Sequence, residues 1–218
     1  MNKNPEKIKE MFDEIATVYD FNNAIMSFGQ HKRIKEEAVG FLKTSGKILD
    51  LCTGTGDIAG FLSKNSKNEV IGLDFSKNML EIAQKKYPSI KFIEGDCTNL
   101  PFNDNSFDAV TISFGLRNIE RYDKALDEIY RVLKPNGTFM HLDFGKKNLL
   151  GDLLFDFIIP KLVKIFYKDQ IPYDYLVKSK QLFFNEEQLI ELFDQHKFKL
   201  QEIHYFIFGG ASCQICKK

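Results

Sequence analysis

The run Asp50-Leu51-Cys52-Thr53-Gly54-Thr55-Gly56-Asp57 joins a short apolar stretch, Lys47 to Leu51, to a helical pattern that puts Ile58, Phe61 and Leu62 on one face. In open α/β sheets ligands bind outside the carboxyl ends of the strands, at turns of this kind. Gly54 and Gly56 let the backbone approach such a ligand. Asp74 closes the next apolar run, Val70 to Leu73, with Phe75 beside it. There an acidic side chain accepts both hydroxyls of a ribose, so a nucleoside cofactor is implied. Read alone, Gly54-x-Gly56-x-x-Ala59 also fits the dinucleotide pattern, and the loop does not separate hydride transfer from another nucleoside-based reaction. A tight turn without a ligand is the plain alternative.

Two further groups leave strand ends. Asp96 follows Gly95, where its carboxylate could accept the exocyclic amine of an adenine while the Cys97 N–H meets a ring nitrogen. The competing roles for Asp96 are a turn residue or a helix N-cap. The stretch Thr111-Ile-Ser-Phe-Gly-Leu-Arg-Asn118, which includes Ser113, offers a fixed cation at Arg117 and an amide at Asn118, together able to hold an oxyanion. Arg117 could instead pair with a surface carboxylate such as Glu120, a contact worth at most about 1 kcal/mol. His141, Asp143 and Tyr19 could hold a water that takes up a proton, although a histidine at the position of His141 also suits a hydrogen-bonded place in the core.

The elements that must position these groups alternate. Strands are expected at Lys47 to Leu51, Val70 to Leu73, Lys91 to Glu94, Phe107 to Ser113 and Thr138 to Phe144, with helices at Asp57 to Lys64, from the Ser76 N-cap to Pro88, and at Tyr122 to Leu133 before Pro135-Asn136-Gly137. Such alternation implies a parallel sheet with right-handed crossovers. Glu186 to Gln195 reads as a helix, and Lys199 to Phe208 turns through Gly209-Gly210 into Ala211 to Cys216 as a closing antiparallel hairpin. The 218 residues suit one domain, with a helical cap over residues 1–45, a cofactor-binding core over 46–145, an apolar substrate-side insertion over 146–185, and a closing helix and hairpin over 186–218.

Composition removes several classes. Thirty basic against 30 acidic side chains lack the excess that neutralises phosphates, so a nucleic-acid partner is not expected. A hydrophobic share of 44% excludes wholesale disorder. Only Cys213-x-x-Cys216 has metal-like spacing, and no second half-site completes four ligands, so no metal is expected. The first ten residues lack the apolar core of a signal peptide, which points to a reducing cytoplasm. The greasiest stretch, Leu149 to Tyr167, is broken by Asp152, Asp156, Lys161 and Lys164 and is not expected to span a membrane.

Together, Ile48 to Asp57, Val70 to Leu80, Leu100-Pro-Phe-Asn-Asp-Asn-Ser-Phe-Asp108 and Phe114-Gly-Leu-Arg-Asn118 resemble the ubiquinone and menaquinone biosynthesis C-methyltransferases. The resemblance runs from Tyr19 to about Gly210 and takes in Tyr19-Asp20, Met26-Ser-Phe-Gly29, Tyr130-Arg-Val-Leu-Lys-Pro135 and Tyr173-Asp-Tyr-Leu-x-x-Ser179. It implies the Rossmann-like class I methyltransferase fold, a mostly parallel seven-stranded sheet flanked by helices. It also implies S-adenosylmethionine as cofactor and a polyprenylated quinol as substrate. Thr55 and its loop of Gly54 and Gly56 would hold the methionine part, Asp74 the ribose, Asp96 and Cys97 the adenine side, and Ser113 the strand edge beside the sulfonium, with Asp50 and Phe75 also among the cofactor-binding residues. Arg117 and Asn118, with Tyr19, are the catalytic candidates. Contact with the membrane quinone pool, at the inner face of the membrane, and a homo-oligomer are compatible with it. Cys52 stands where the general loop has its first glycine, and the tail Ser212-Cys-Gln-Ile-Cys216 departs from the usual ending.

Transfer to carbon is an in-line displacement that needs an electron-rich ring, so the quinol and not the quinone suits it. The apolar run from Leu149 to Phe166 would then form a tunnel for the tail or a membrane-surface patch, or else pack as ordinary helix. Two other classes stay open at this point. One is a nicotinamide oxidoreductase, whose Tyr-x-x-x-Lys pair is mimicked by Tyr87/Lys91 and Tyr130/Lys134; the other is a catalytically silent scaffold of a quinone-assembly complex.

Overall fold

The computed structural model describes residues 4–27, 29–145, 175, 179–206 and 210–218. The apolar run 149–166, and all of the Tyr173–Ser179 motif except Tyr175 and Ser179, lie outside them.

Among the described residues, α1 (Pro5–Ile15), a 3-10 turn (Ala16–Val18), α2 (Tyr19–Met26) and α3 (His31–Phe41) precede the first strand. Strand β1 (Lys47–Leu51), α4 (Asp57–Ser63), β2 (Glu69–Asp74), α5 (Lys77–Lys86), β3 (Lys91–Glu94), β4 (Phe107–Ser113), α6 (Tyr122–Val132) and β5 (Leu133–Phe144) then alternate as expected. Helix α7 (Glu186–Gln195) and strands β6 (Lys199–Phe206) and β7 (Ala211–Lys217) follow. The sheet order is β3-β2-β1-β4-β5-β7-β6. The first five strands are parallel, whereas β7 pairs antiparallel with both β5 and β6.

The parallel strands are covered on both faces, so their apolar residues sort by parity into two layers. Leu49, Leu51, Ile71, Leu73, Val110, Ile112 and Phe139 face α6 and α7. Ile48, Val70, Ala109, Met140 and Leu142 face α3 and α4. Helix α6 answers the first layer with Ala125, Leu126, Ile129 and Val132, a helical spacing that places all four in the core. Ser76 caps α5 by accepting the Met79 N–H at 3.2 Å, and Asn185 with Gln188 forms a reciprocal capping box on α7.

One boundary differs from expectation. Strand β5 begins at Leu133, not Thr138, because Pro135-Asn136-Gly137 forms an irregularity inside the strand: Phe107 pairs with Leu133, and regular pairing resumes with Ala109 and Thr138. Asn136 takes the left-handed φ of +61° that lets the chain go around.

Candidate functional site

A cavity opens where the strand order reverses, between the carboxyl ends of β1 and β4. Its floor and walls come from Cys52 and Gly54 after β1, Leu73 to Phe75 at the end of β2, Gly95 to Thr98 after β3, and Ser113 to Gly115 after β4. Asn118 to Arg121 continue the wall, and Pro5, Glu6, Lys9, Phe12 and Tyr19 form the roof.

The loop after β1 owes its shape to left-handed residues at Cys52 (φ +52°), Gly54 (φ +54°) and Gly56 (φ +84°). A side chain at Gly54 would meet the Tyr19 ring at 4.0 Å, so that ring lies over the loop. The Gly54 and Ser76 N–H groups donate to the two oxygens of Asp74 at 2.8 and 2.9 Å. Each oxygen keeps a lone pair for a hydroxyl of a ligand. Burial pushes the Asp74 carboxyl up to about 6, against the pull of the Ser76, Gly54 and Phe75 N–H groups. Asp96 accepts from the Thr98 N–H and hydroxyl, each at 2.8 Å, which makes it a turn-forming residue at the rim. Ser113 lines the wall with a buried hydroxyl that has no hydrogen-bond partner among the described residues. An orphaned hydroxyl and a carboxylate with free lone pairs lining one cavity are what a nucleoside with hydroxyl and amine groups would complete.

Gly54, Asp74, Phe75, Asp96, Cys97, Ser113, Tyr19 and Asn118 therefore share one cavity. Asp50, Thr55, Gly56 and Arg117 do not line it. Asp50 is fully buried under the loop and accepts the hydroxyls of Thr53 and Thr111, so it supports the loop from behind. The Thr55 hydroxyl donates to Asp20 of the cap at 2.6 Å. Gly56 starts α4 where a Cβ would come within 3.1 Å of Ala83, Tyr87 and Phe92, so its missing side chain serves packing against α5.

Arg117 lies behind the cavity wall. Its Nη1 donates to the Phe114 carbonyl at 2.7 Å and to Asp143 at 2.8 Å, and its side chain is only 7% exposed. Glu120 is not its partner. The guanidinium lies 4.9 Å from the Phe144 ring centroid and 5.8 Å from that of Phe114. Phe114 itself takes a left-handed φ of +54°, so Arg117 holds a carbonyl at a strained corner. That corner presents Asn118 to the cavity. The Asn118 amide donates to the same carbonyl at 3.3 Å, and its Oδ1 accepts the Tyr175 hydroxyl at 3.0 Å. His141 is buried with Nδ1 at 2.7 Å from Gln214 Oε1 and does not reach the cavity, as a core histidine would be placed.

The roof residues Pro5, Glu6, Lys9 and Phe12 were missed by the motifs. Their signal was available in the helical spacing of α1, which puts Pro5, Lys9 and Phe12 on one face. Among the described residues no cluster of three or more histidine, cysteine or acidic side chains is arranged to hold a metal. Cys213 and Cys216 are buried in β7, where burial pushes both thiols up to about 12.

Cys52 and Gly115 form a matched pair. A Cβ at Gly115 would stand 2.5 Å from Cys52 Cβ and 2.8 Å from its sulfur. Gly115→Ala is expected to destabilise the protein by about 1–3 kcal/mol through overpacking. Removing the Cys52 side chain in the same molecule, as Cys52→Gly, should recover most of that loss and also relieve a left-handed non-glycine residue. Thermal unfolding of the four proteins measures this, and a double variant no better than Gly115→Ala would contradict the pairing.

The profile of the ubiE/COQ5 methyltransferase family matches residues 1–218. The chain is 38% identical over 226 residues to the demethylmenaquinone methyltransferase of Staphylococcus haemolyticus strain JCSC1435, covering 98% of this chain and 95% of the relative. It is 39% identical over 222 residues to the enzyme of the same name from Staphylococcus carnosus strain TM300, covering 96% and 92%. Among solved structures, a SAM-dependent methyltransferase from Thermotoga maritima superposes with a TM-score of 0.71 at 22% identity, covering 96% of this chain and 99% of the other. One from Aquifex aeolicus gives 0.63 at 18% identity, covering 90% and 97%. At such identities the structures speak for the fold, which is that of the class I methyltransferases.

Proposed function

The chain belongs to the ubiE/COQ5 methyltransferase family, and from that premise we propose that it transfers a methyl group from S-adenosylmethionine to a ring carbon of a polyprenylated quinol, with demethylmenaquinol the favoured acceptor. The observation that carries this reading is the coincidence of a family match over residues 1–218 with one cavity that gathers Gly54, Asp74, Asp96 and Ser113. The acceptor comes from the names of the relatives.

The cofactor supplies a methyl group on a positively charged sulfur. In this reading Asp74 takes the ribose hydroxyls on its free lone pairs, Ser113 gives its orphaned hydroxyl to the cofactor, and the Cys97 N–H and Asp96 meet the adenine. Asn118 is the group that faces the acceptor. Its amide, oriented by Tyr175 and by the Phe114 carbonyl, hydrogen-bonds the quinol oxygen whose negative charge grows as the ring attacks. Arg117 acts one step back: it fixes the Phe114 corner and thereby the place of Asn118. The cap over residues 1–45 covers the cofactor. Peripheral contact with the membrane quinone pool suits a prenylated acceptor, and a homo-oligomer remains compatible with the reading; among the described residues no helix is long and apolar enough to cross a membrane.

The nicotinamide reading is not favoured. Tyr87 ends α5 while Lys91 starts β3, and Tyr130 lies in α6 while Lys134 lies in β5, so neither pair shares a helix. Incubation of the protein with labelled S-adenosylmethionine and demethylmenaquinone, chemically reduced or left oxidised, tests the proposal. Methylated product only from the reduced acceptor is expected; absence of product from both overturns it.

Asp74 adds a pH signature. Ribose hydroxyls donate best to the ionised carboxylate, and the free carboxyl sits at about 6. Cofactor affinity should be full above that value and decline as the pH falls through it, because the proton must then be displaced. Calorimetric titrations between the acid limit of folding and neutrality read this directly, and a flat affinity would remove Asp74 from the ribose.

A further inference from the structure

The roof of the cavity is fastened to the core by groups that do not touch the cavity. At the start of α5, Asp13 accepts the Ser76 hydroxyl at 2.6 Å and the Asn78 N–H at 3.2 Å. At the end of α5 the fastening is ionic. Lys86 Nζ lies 2.8 Å from Asp20 Oδ2, 2.7 Å from Asp57 Oδ1 and 3.3 Å from the Thr55 hydroxyl. Thr55 in turn donates to the other oxygen of Asp20, and Lys35 reaches the other oxygen of Asp57 at 3.1 Å. Two carboxylates and two ammonium groups thus balance around one hydroxyl.

We propose that Lys86 is a positioning residue of the cofactor cavity: its ammonium ties Asp20 of the cap to Thr55 and Asp57 of the glycine loop and so holds the Tyr19 ring over Gly54.

Asp57 is almost fully buried, at 1% side-chain exposure, while Lys86 is at 25% and Asp20 at 32%. Charged hydrogen bonds at this depth are screened less than surface pairs. Beside the direct Thr55–Asp20 bond and the Lys35–Asp57 pair, Lys86 is, among the described contacts, the cation that bonds both Asp20 and Asp57. Lys35 does not replace it: it bonds Asp57 on the far oxygen and, among the described contacts, makes no bond to Asp20. Without the Lys86 ammonium, Lys35 would still pair with Asp57, but Asp20 would lose its cation and face the Asp57 carboxylate. Tyr19 adjoins Asp20, so outward movement of Asp20 carries the ring with it. Asp13 still anchors the far side of the cap, and the roof would tilt instead of unfolding. Thr55, for which the family resemblance implied contact with the cofactor, acts here through the cap.

The inference rests on the reading of the cavity as a cofactor site, so its test includes a readout without ligand. S-adenosylhomocysteine is titrated calorimetrically into the full chain and into Lys86→Met, Lys86→Arg, Asp20→Asn and the double variant Asp20→Asn with Lys86→Met. Lys86→Met is expected to bind about tenfold or more weakly, with Lys86→Arg close to the parent because it keeps the charge. The double variant should bind better than Lys86→Met, since removing the Asp20 charge ends the repulsion. A purely structural lysine would lower the unfolding temperature and leave the affinity of the folded protein unchanged. In parallel, limited proteolysis without ligand should cut within residues 4–27 faster in Lys86→Met than in the parent. Affinity within about twofold of the parent, or equal cutting of the cap, overturns the proposal. If the parent itself failed to bind while the cap was still cut faster, the cofactor reading would fall and the fastening would stand. Should Lys86→Met not fold, Asp20→Asn alone carries the cap-cutting measurement, and an unchanged rate there counts against the tie.

Discussion

Arg117→Ala is expected to cost about 3–5 kcal/mol of stability, because it leaves the Asp143 carboxylate buried without its cation. Asp143 has 0% side-chain exposure and one oxygen already lacking a partner among the described residues, so water does not compensate the loss. Replacing both partners by apolar residues, as Arg117→Met with Asp143→Leu, should recover most of the stability, since neither charge is then stranded. Urea unfolding of the three variants and the parent measures this. A double variant as unstable as Arg117→Ala would show that the guanidinium matters through other contacts, the Phe114 carbonyl first among them. Turnover separates the two roles: the stable double variant should still methylate slowly, because the left-handed corner at Phe114 has lost its hydrogen bond and Asn118 its fixed place. Normal turnover in that variant would leave Arg117 as a stabilising residue without part in positioning.

Asp74→Ala is expected to weaken S-adenosylmethionine binding by about 2–4 kcal/mol, the loss of two hydroxyl contacts to a charged acceptor in a desolvated site. The same change orphans the Gly54 and Ser76 N–H groups, which now point at the carboxylate. The β1 loop should therefore loosen as well as lose a ligand contact. Asp74→Asn tells these effects apart: its carbonyl oxygen can still accept one N–H, so loop order should largely persist while the ribose contact is halved. Calorimetry on the folded variants gives the affinities, and hydrogen exchange at Gly54 and Ser76 gives the loop. Unchanged affinity in a folded Asp74→Ala protein would exclude the ribose role.

Strand ends were legible in the sequence, and side-chain direction at the turns was not. Asp74, Asp96 and Ser113 end or follow regular strands, where alternation carries through and spacing predicts position. Thr55 and Gly56 belong to a loop that passes through left-handed residues at Cys52, Gly54 and Gly56, and each such residue turns the chain so that alternation no longer says which way a side chain points, whereas Asp50 lies before them in β1, where it is buried against Thr53 and Thr111. Arg117 follows the same rule, lying beyond the left-handed Phe114 in a 3-10 turn that aims it back at β5. The Pro-Asn-Gly segment in β5 read as a stop because turn chemistry and a strand irregularity use the same residues; only pairing with Phe107 tells them apart. The cap was placed over the sheet, yet its contact with the cavity depends on tertiary packing of α1 that no motif encodes.

The position of β7 has a consequence for the order in which the molecule can be made. β7 lies between β5 and β6 although it follows both in the chain, and it pairs with β5 from Thr138 to Phe144. A nascent chain that has emerged only as far as β6 can build the parallel half of the sheet, but it must leave the edge of β5 open and β6 without a neighbour. During that interval an unpaired strand carrying Phe139, Met140 and Leu142 is a template for pairing with other chains. Pairing of residues 211–217 closes the edge from both sides at once. A chain cut just before Ala211 would therefore present the most association-prone form of this protein, and its need for a chaperone should exceed that of the chain with β7.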